Sequence, residues 1–232
     1  MSEGTIIAIG GHEDRTGERL ILRAIAAAMC SGPLLIVATA SAEPDRYLDL
    51  YRPAFARIGC PDVRDLPVRQ RSDARDTALL DAIGTAGGVF LTGGSQRRLV
   101  GALRDTPMHD ALRALVRRGG VVAGTSAGAS AFGETMLSGT KDLQLTTGLG
   151  MVPGVIIDQH FAQRNRVGRL TEGLAQAGVR TGIGIDEDTA LVIRGGEASV
   201  IGSGAVWLLE GGASAVQRRA GARFALDDTI AA

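Results

Sequence analysis

The sequence predicts an α/β fold of three layers, with a mostly parallel central sheet carrying helices on both faces. Short, almost continuously apolar runs alternate with helical patterns: Thr5 to Ile9 then Leu20 to Met29, and Leu34 to Ala38 then Pro44 to Ile58. Gly88 to Leu91 and Val121 to Ala123 are each followed by another helical stretch. A strand covered by helices on both sides loses the polar alternation of a half-exposed one, so these runs read as parallel strands. Most connections hold Gly, Pro, Ser or Asp, the residues that reverse a chain between such elements. Composition agrees. Apolar residues make up 45% of the chain but aromatic residues only 3%, with 33 glycines, so the core is built from Ala, Val, Leu and Ile at close backbone approach.

In the helix that starts near His109, Leu112, Leu115 and Val116 fall at i, i+3 and i+4 and form a buried stripe. Arg113, Arg117 and Arg118 then occupy a solvated face. From Ile183 onward the strands shorten and are broken by Gly195-Gly196, Gly202 to Gly204 and Gly211-Gly212, which predicts antiparallel hairpins extending one sheet edge. No linker, low-complexity tract or repeat interrupts the 232 residues, so one domain over 1–232 is expected.

The 25 basic and 25 acidic residues cancel, which removes the broad electrostatic reason for a nucleic-acid or anionic-membrane partner. No segment reaches the roughly 18 unbroken apolar residues of a membrane helix, and the start lacks a secretory signal. A cytoplasmic location is expected. Cys30 and Cys60 have no second ligand at metal spacing, so both read as buried small hydrophobes and no metal or cofactor is expected.

Gly124-Thr125-Ser126-Ala127-Gly128 fits G-x-S-x-G between the apolar Val121-Val122-Ala123 and small helix-compatible residues, the setting of a strand, a tight turn and a helix. Such a turn lifts the Ser126 hydroxyl out of the sheet and lets the Ala127 N–H stabilise an oxyanion. The same residues also fit a glycine-rich turn whose serine merely caps a helix. A second loop, Thr92-Gly93-Gly94-Ser95-Gln96, follows another apolar strand and emerges at the same carboxyl edge, where Gly93 or Gly94 can offer a second oxyanion donor.

Only His12, His109 and His160 can serve as an imidazole base. His109, at a helix start, reads as a surface residue, while His12 and His160 both end strands. An α/β-hydrolase order is excluded because about seventy residues follow His160 without another histidine. The acid can lie downstream in Ile185-Asp186-Glu187-Asp188, where strand alternation turns Glu187 opposite to Asp186 and Asp188.

Read together, these residues resemble the cyanophycinase family of serine peptidases, which is related to aspartyl dipeptidase and shares a glutamine-amidotransferase-like fold. The likeness covers nearly the whole chain: Gly10-Gly11-His12-Glu13-Asp14-Arg15, Ala40 to Pro44, Thr92 to Gln96, Gly124 to Gly128, Gly148 to Gly154, Asp158-Gln159-His160-Phe161, Gln163 to Leu170 and Gly184 to Glu187. The resemblance implies Ser126 as nucleophile, His160 as base and Glu187 as the orienting acid, with Gly94 and Ala127 holding the oxyanion. The dipeptidase branch draws its acid from before the histidine, which makes Asp142 the rival.

Similarity also gives Gln96, Asp158, Gln159, Arg164, Arg166 and Arg169 to substrate binding, and it implies a homodimer. The implied substrate is cyanophycin, a poly-aspartate backbone bearing arginine on each β-carboxyl, cut to β-Asp-Arg dipeptides. Guanidinium groups suit its free carboxylates, and Asp158 suits its arginines. If residues 164–169 were helical, Arg164 would point away from Arg166 and Arg169, so Arg164 must precede the helix to join them. The stretch between Gly133 and Gly148 is shorter than the family leads one to expect, which opens the alternative of an aspartyl or isoaspartyl dipeptidase. A non-catalytic anion-binding protein on the same fold is the alternative of another class.

Overall fold

The computed structural model describes residues 3–139, 142–210 and 214–226. The chain runs β1 (Thr5–Ile9), α1 (Leu20–Ala28), β2 (Leu34–Val37), α2 (Pro44–Ala56), β3 (Val63–Asp65), α3 (Thr77–Thr85) and β4 (Gly88–Leu91). It continues through α4 (Gln96–Leu103), α5 (Pro107–Arg117), β5 (Val121–Thr125), α6 (Ala127–Ser130), β6 (Gly133–Ser138), β7 (Gln144–Thr147) and β8 (Val152–Gln159). After α7 (Val167–Ala177) come β9 (Thr181–Ile185), β10 (Thr189–Arg194), β11 (Glu197–Gly202), β12 (Ala205–Glu210), β13 (Val216–Arg219) and β14 (Arg223–Ala225).

The helices start where the sequence offers side-chain acceptors for the orphan N–H groups of a first turn. Asp76 accepts from the N–H groups of Ala78 and Leu79 at α3, Ser95 from Arg98 at α4 and Thr106 from His109 at α5.

Eight strands form one sheet in the order β14-β11-β10-β1-β5-β4-β2-β3, with β1, β5, β4, β2 and β3 parallel. A second sheet runs β13-β12-β9-β8-β6-β7, with β6, β8 and β9 parallel. The α/β class with a mostly parallel sheet is as the sequence predicts, but the C-terminal hairpins do not all extend one edge. β10, β11 and β14 continue the first sheet, whereas β12 and β13 join the second beside β9. The chain crosses over at Gly202 to Gly204, where a Cβ on Gly204 would lie 2.7 Å from Asp186 Cβ.

Alternation along the strands divides the core. Ile7, Ile9, Leu34, Ile36, Phe90 and Val121 face Ile21, Leu22 and Ile25 of α1 and Tyr51 and Phe55 of α2. Ala8, Leu35, Val37, Val89 and Val122 point the other way, joining α4 and α5 and the inner face of the second sheet, Val155, Ile157, Ile183 and Ile185. The outer face of that sheet, Ile156 included, packs with Phe161 against Leu170 and Leu174 of α7.

Three local expectations change. His109 is buried rather than on the surface. Arg113 and Arg118 are not simply solvated, since they donate to the carbonyls of Leu149 and Gly150 before β8 and of Ile83 and Ala86 at the end of α3, which apolar neighbours cannot satisfy. Cys30 and Cys60 are free thiols that are half-buried rather than fully buried. Among the described residues no helix is long and apolar enough to cross a membrane.

Phe161 is fully buried with its ring over Gly184, where an added Cβ would come within 2.4 Å of it, and beside Trp207 at 5.8 Å. Phe161→Ala is expected to cost about 3–5 kcal/mol, read from urea denaturation midpoints; a loss below ~1 kcal/mol would show that this contact is not part of the core.

Candidate active site

The end of β1 organises the site. Three successive carbonyls, those of Ile9, Gly10 and Gly11, accept the N–H groups of Ser126 (2.9 Å), His160 (2.9 Å) and Asp188 (2.8 Å). One strand end therefore fixes three turns that are distant in the chain.

Ser126 follows β5 at φ 52 and ψ −109, a conformation that costs on the order of 1–3 kcal/mol for a residue with a side chain. Its flanking glycines are required by space: a Cβ on Gly124 would lie 2.6 Å from the Gly128 carbonyl carbon, and one on Gly128 would lie 2.5 Å from the Leu91 oxygen. The helix after the turn, α6, is only four residues long, so local N–H groups matter here more than any dipole. The N–H groups of Ala127, Gly93 and Gly94 donate to no protein acceptor among the described residues. Gly93 lies beside the serine, its position for a Cβ being 3.4 Å from Ser126 Cβ, and Gly94 is held at φ 135 against the Ala40 carbonyl.

Ser126 Oγ is 3.0 Å from His160 Nε2, and His160 Nδ1 is 2.6 Å from Glu187 Oε1. With Glu187 ionised, Nδ1 carries the proton and donates it to the carboxylate, which leaves the Nε2 lone pair facing the serine hydroxyl. Gln159 Oε1 lies 3.4 Å from the same hydroxyl. Glu187 is further held by its backbone N–H, which donates to Gln163 Oε1 at 3.1 Å. Asp186 faces the other way, accepting from the N–H groups of Ala162 and Ala205 and from the Trp207 indole; residues 186–188 form the turn between β9 and β10, so the turn rather than strand alternation separates the two side chains. Asp142 is exposed in the β6–β7 turn and makes no contact with His160.

Burial pushes the His160 imidazole below its ordinary value, helped by the Arg164 guanidinium and opposed by Glu187.

The remaining predicted residues divide into two groups. Arg164 precedes α7, as required, and lines the cleft of about 520 Å³ that holds Ser126 and His160. Its guanidinium makes no ion pair among the described residues. Asp158 does not point freely at a ligand: it is buried, pairs with Arg166, and has Arg169 Nε 3.6 Å away. The expectation that Asp158 itself receives a substrate arginine is not met here, because Arg166 already occupies that carboxylate. Burial pushes the Asp158 carboxyl up while the two arginines pull it down, with burial prevailing. Gln96 Nε2 donates to the Leu137 carbonyl at 2.6 Å and Arg169 Nη1 to the Gly139 carbonyl at 2.9 Å, so both brace the β6–β7 hairpin.

Sequence reasoning missed the floor of the cleft. Glu13 is buried there, accepting from Tyr51 Oη and, at 2.7 Å, from Thr125 Oγ1, with Arg15 Nη1 3.7 Å away. Burial and the neighbouring Glu13 raise the Tyr51 phenol well above its ordinary value, so it stays a donor. The signal was present in Gly11-His12-Glu13-Asp14-Arg15 directly after β1. Asp14 accepts the N–H groups of Thr16, Gly17 and Arg19, which lower its carboxyl to about 2.

Residues 6–201 match the family described as peptidase family S51. The chain belongs to that family. It is 39% identical over 217 residues to the cyanophycinase of Trichormus variabilis, covering 88% of this chain and 73% of that protein. It is 37% identical over 219 residues to the cyanophycinase of Geminocystis herdmanii, covering 89% and 80%. Among solved structures, a peptidase from an acI-B1 Actinobacterium superposes with a TM-score of 0.78 at 25% identity, covering 97% of this chain and 98% of that one. This S51 protein is accordingly a peptidase, serine-type by its family.

An imidazole accepts a proton only when neutral, so activity falls as pH drops through its pKa. Because the His160 value is depressed, the acid limb of kcat/KM is expected to have its midpoint below 6.5. A midpoint at or above 6.5 would mean that another group controls that limb.

Proposed function

We propose that this chain is a cyanophycinase, a serine peptidase that hydrolyses the poly-aspartate backbone of cyanophycin to β-Asp-Arg dipeptides through an acyl-enzyme. The observation that carries this reading is the series Ser126 Oγ, His160, Glu187, spaced at 3.0 and 2.6 Å on the rim of a cleft containing both guanidinium and carboxylate side chains. Identity of 36–39% to several cyanophycinases supports the choice of substrate.

In this mechanism His160 Nε2 takes the Ser126 proton as Oγ bonds to a main-chain carbonyl carbon. The carbonyl oxygen becomes an oxyanion held by the N–H groups of Ala127 and Gly94, each such donor being worth roughly 10²–10³ in kcat. His160 returns the proton to the departing nitrogen, and the C–N bond breaks to leave the acyl-enzyme. Water, deprotonated by the same imidazole, then attacks the ester, and the proton returns to Oγ. Glu187 keeps the imidazole in the required tautomer. Each substrate side chain carries a free carboxylate and a guanidinium, for which Arg164, Arg46 and Glu43 around the cleft are complementary partners. Gln159, beside the nucleophile, adds a polar contact, while Gln96, Asp158, Arg166 and Arg169 do not line the cleft and act through the segments they brace. A homodimer of one-domain subunits in the cytoplasm belongs to the same proposal.

An aspartyl or isoaspartyl dipeptidase is the second reading, favoured by the short β6–β7 hairpin. Incubation with insoluble cyanophycin should release β-Asp-Arg dipeptides with wild type and, with Ser126→Ala, at a rate lower by at least about 10³-fold. Activity on dipeptides alone would transfer the function to the second reading, and failure of a serine-directed phosphonate to label Ser126 would return it to a non-catalytic ligand binder.

Glu187→Gln should lower kcat by about 10³–10⁴ because the imidazole loses its tautomer control, whereas Asp142→Asn should leave it unchanged. The reverse outcome would make Asp142 the acid.

A further inference from the structure

His12 is not used by this mechanism, yet its side chain closes on the same carboxylate. His12 Nδ1 is 3.2 Å from Glu187 Oε2, while His160 Nδ1 is 2.6 Å from Glu187 Oε1. The two imidazoles meet edge to face with ring centroids 5.2 Å apart. One donor atom from each of His12, His160 and Glu187 can be chosen so that all lie within 4.8 Å of one another.

We propose that His12, His160 and Glu187 form an inhibitory site for a zinc-class divalent cation, which switches the peptidase off by capturing the imidazole at position 160. Two imidazole nitrogens and a carboxylate oxygen are a donor set suited to zinc, with the fourth position left to water. Zinc bonds of ~2.0–2.1 Å in tetrahedral geometry set neighbouring ligand atoms about 3.3 Å apart. The Glu187 carboxylate faces both rings, with Oε2 3.2 Å from His12 Nδ1 and Oε1 2.6 Å from His160 Nδ1, so one oxygen joins the set by a rotation of the carboxylate and an opening of the shorter contact by about 0.7 Å.

The donors are held ready. His160 N–H is fixed to the Gly10 carbonyl and Asp188 N–H, next to Glu187, to the Gly11 carbonyl, so His12 and both partners are tied to one strand end. The His12 side chain is 71% exposed, which gives an ion access to a pair otherwise half-buried or buried. The Glu187 carboxylate favours a cation there, and Arg164 opposes it.

The chemistry balances without an added reactant. The ion bonds to the lone pair of His160 Nδ1, and the proton that Nδ1 shared with Glu187 moves to Nε2, so the ring stays a neutral imidazole. With that proton on Nε2, the ring faces Ser126 as a donor and cannot take the hydroxyl proton. The rate therefore falls, and a chelator that removes the ion restores it.

The effect on activity rests on the reading of Ser126 and His160 given above, but binding does not. Zinc binding is therefore measured by calorimetry on the Ser126→Ala protein, which needs no turnover. One ion per chain is expected, with affinity lowered about 10-fold or more by adding His12→Asn, a residue that tolerates the positive φ of 52 but is too short to keep both contacts. In parallel, submillimolar zinc should inhibit wild type on its substrate, excess EDTA should reverse it, and His12→Asn should need a correspondingly higher zinc concentration relative to its own uninhibited rate. No binding, or equal binding by the His12→Asn protein, overturns the site. Binding through His12 without inhibition overturns the switch, and a wild type that binds zinc but lacks all peptidase activity overturns the proposed function while leaving the site standing.

Discussion

The architecture depends on three carbonyls at and just beyond the end of β1. Ile9, Gly10 and Gly11 receive the backbone of residues 126, 160 and 188 in succession, so the nucleophile turn and the turns carrying the imidazole and the carboxylate are fixed to one another by main-chain bonds rather than by their side chains. Main-chain bonds of this kind are nearly independent of pH and side-chain identity, so the geometry persists whether or not the charges do. The arrangement also joins the two sheets, because 160 and 188 border strands of the second and first sheet respectively.

Much of this was legible in the chain. The parallel strands could be read because burial on both faces removes polar residues, and β1 and β4 have the bounds that their apolar runs predict. The glycines around Ser126 were legible because each fills a place where a side chain would strike backbone. The sequence separates Glu187 from Asp186 for a reason that does not hold, strand alternation, since both lie in the turn after β9; that turn puts Asp186 on Trp207 and Glu187 on His160.

What escaped the sequence was pairing across long separations. Nothing local says that β8 and β9 leave the first sheet to start a second one, because an apolar run specifies burial but not its neighbour. The same limit applies to charge. Three arginines in six residues look alike in sequence, yet Arg166 meets a buried carboxylate, Arg169 ties down the β6–β7 hairpin and Arg164 faces the cleft. Glu13 could be noticed as a carboxylate near a strand end, but its partners Tyr51 and Thr125 come from elsewhere in the fold.

The single tryptophan of the chain, Trp207, donates its indole N–H to Asp186 at 3.0 Å and lies against Phe161. Those two neighbours directly adjoin Glu187 and His160 in the chain. The protein thus carries its own optical probe: ultraviolet emission from one chromophore registers displacements of the segments that bear the imidazole and its carboxylate, with no extrinsic dye and no second indole to confuse the signal.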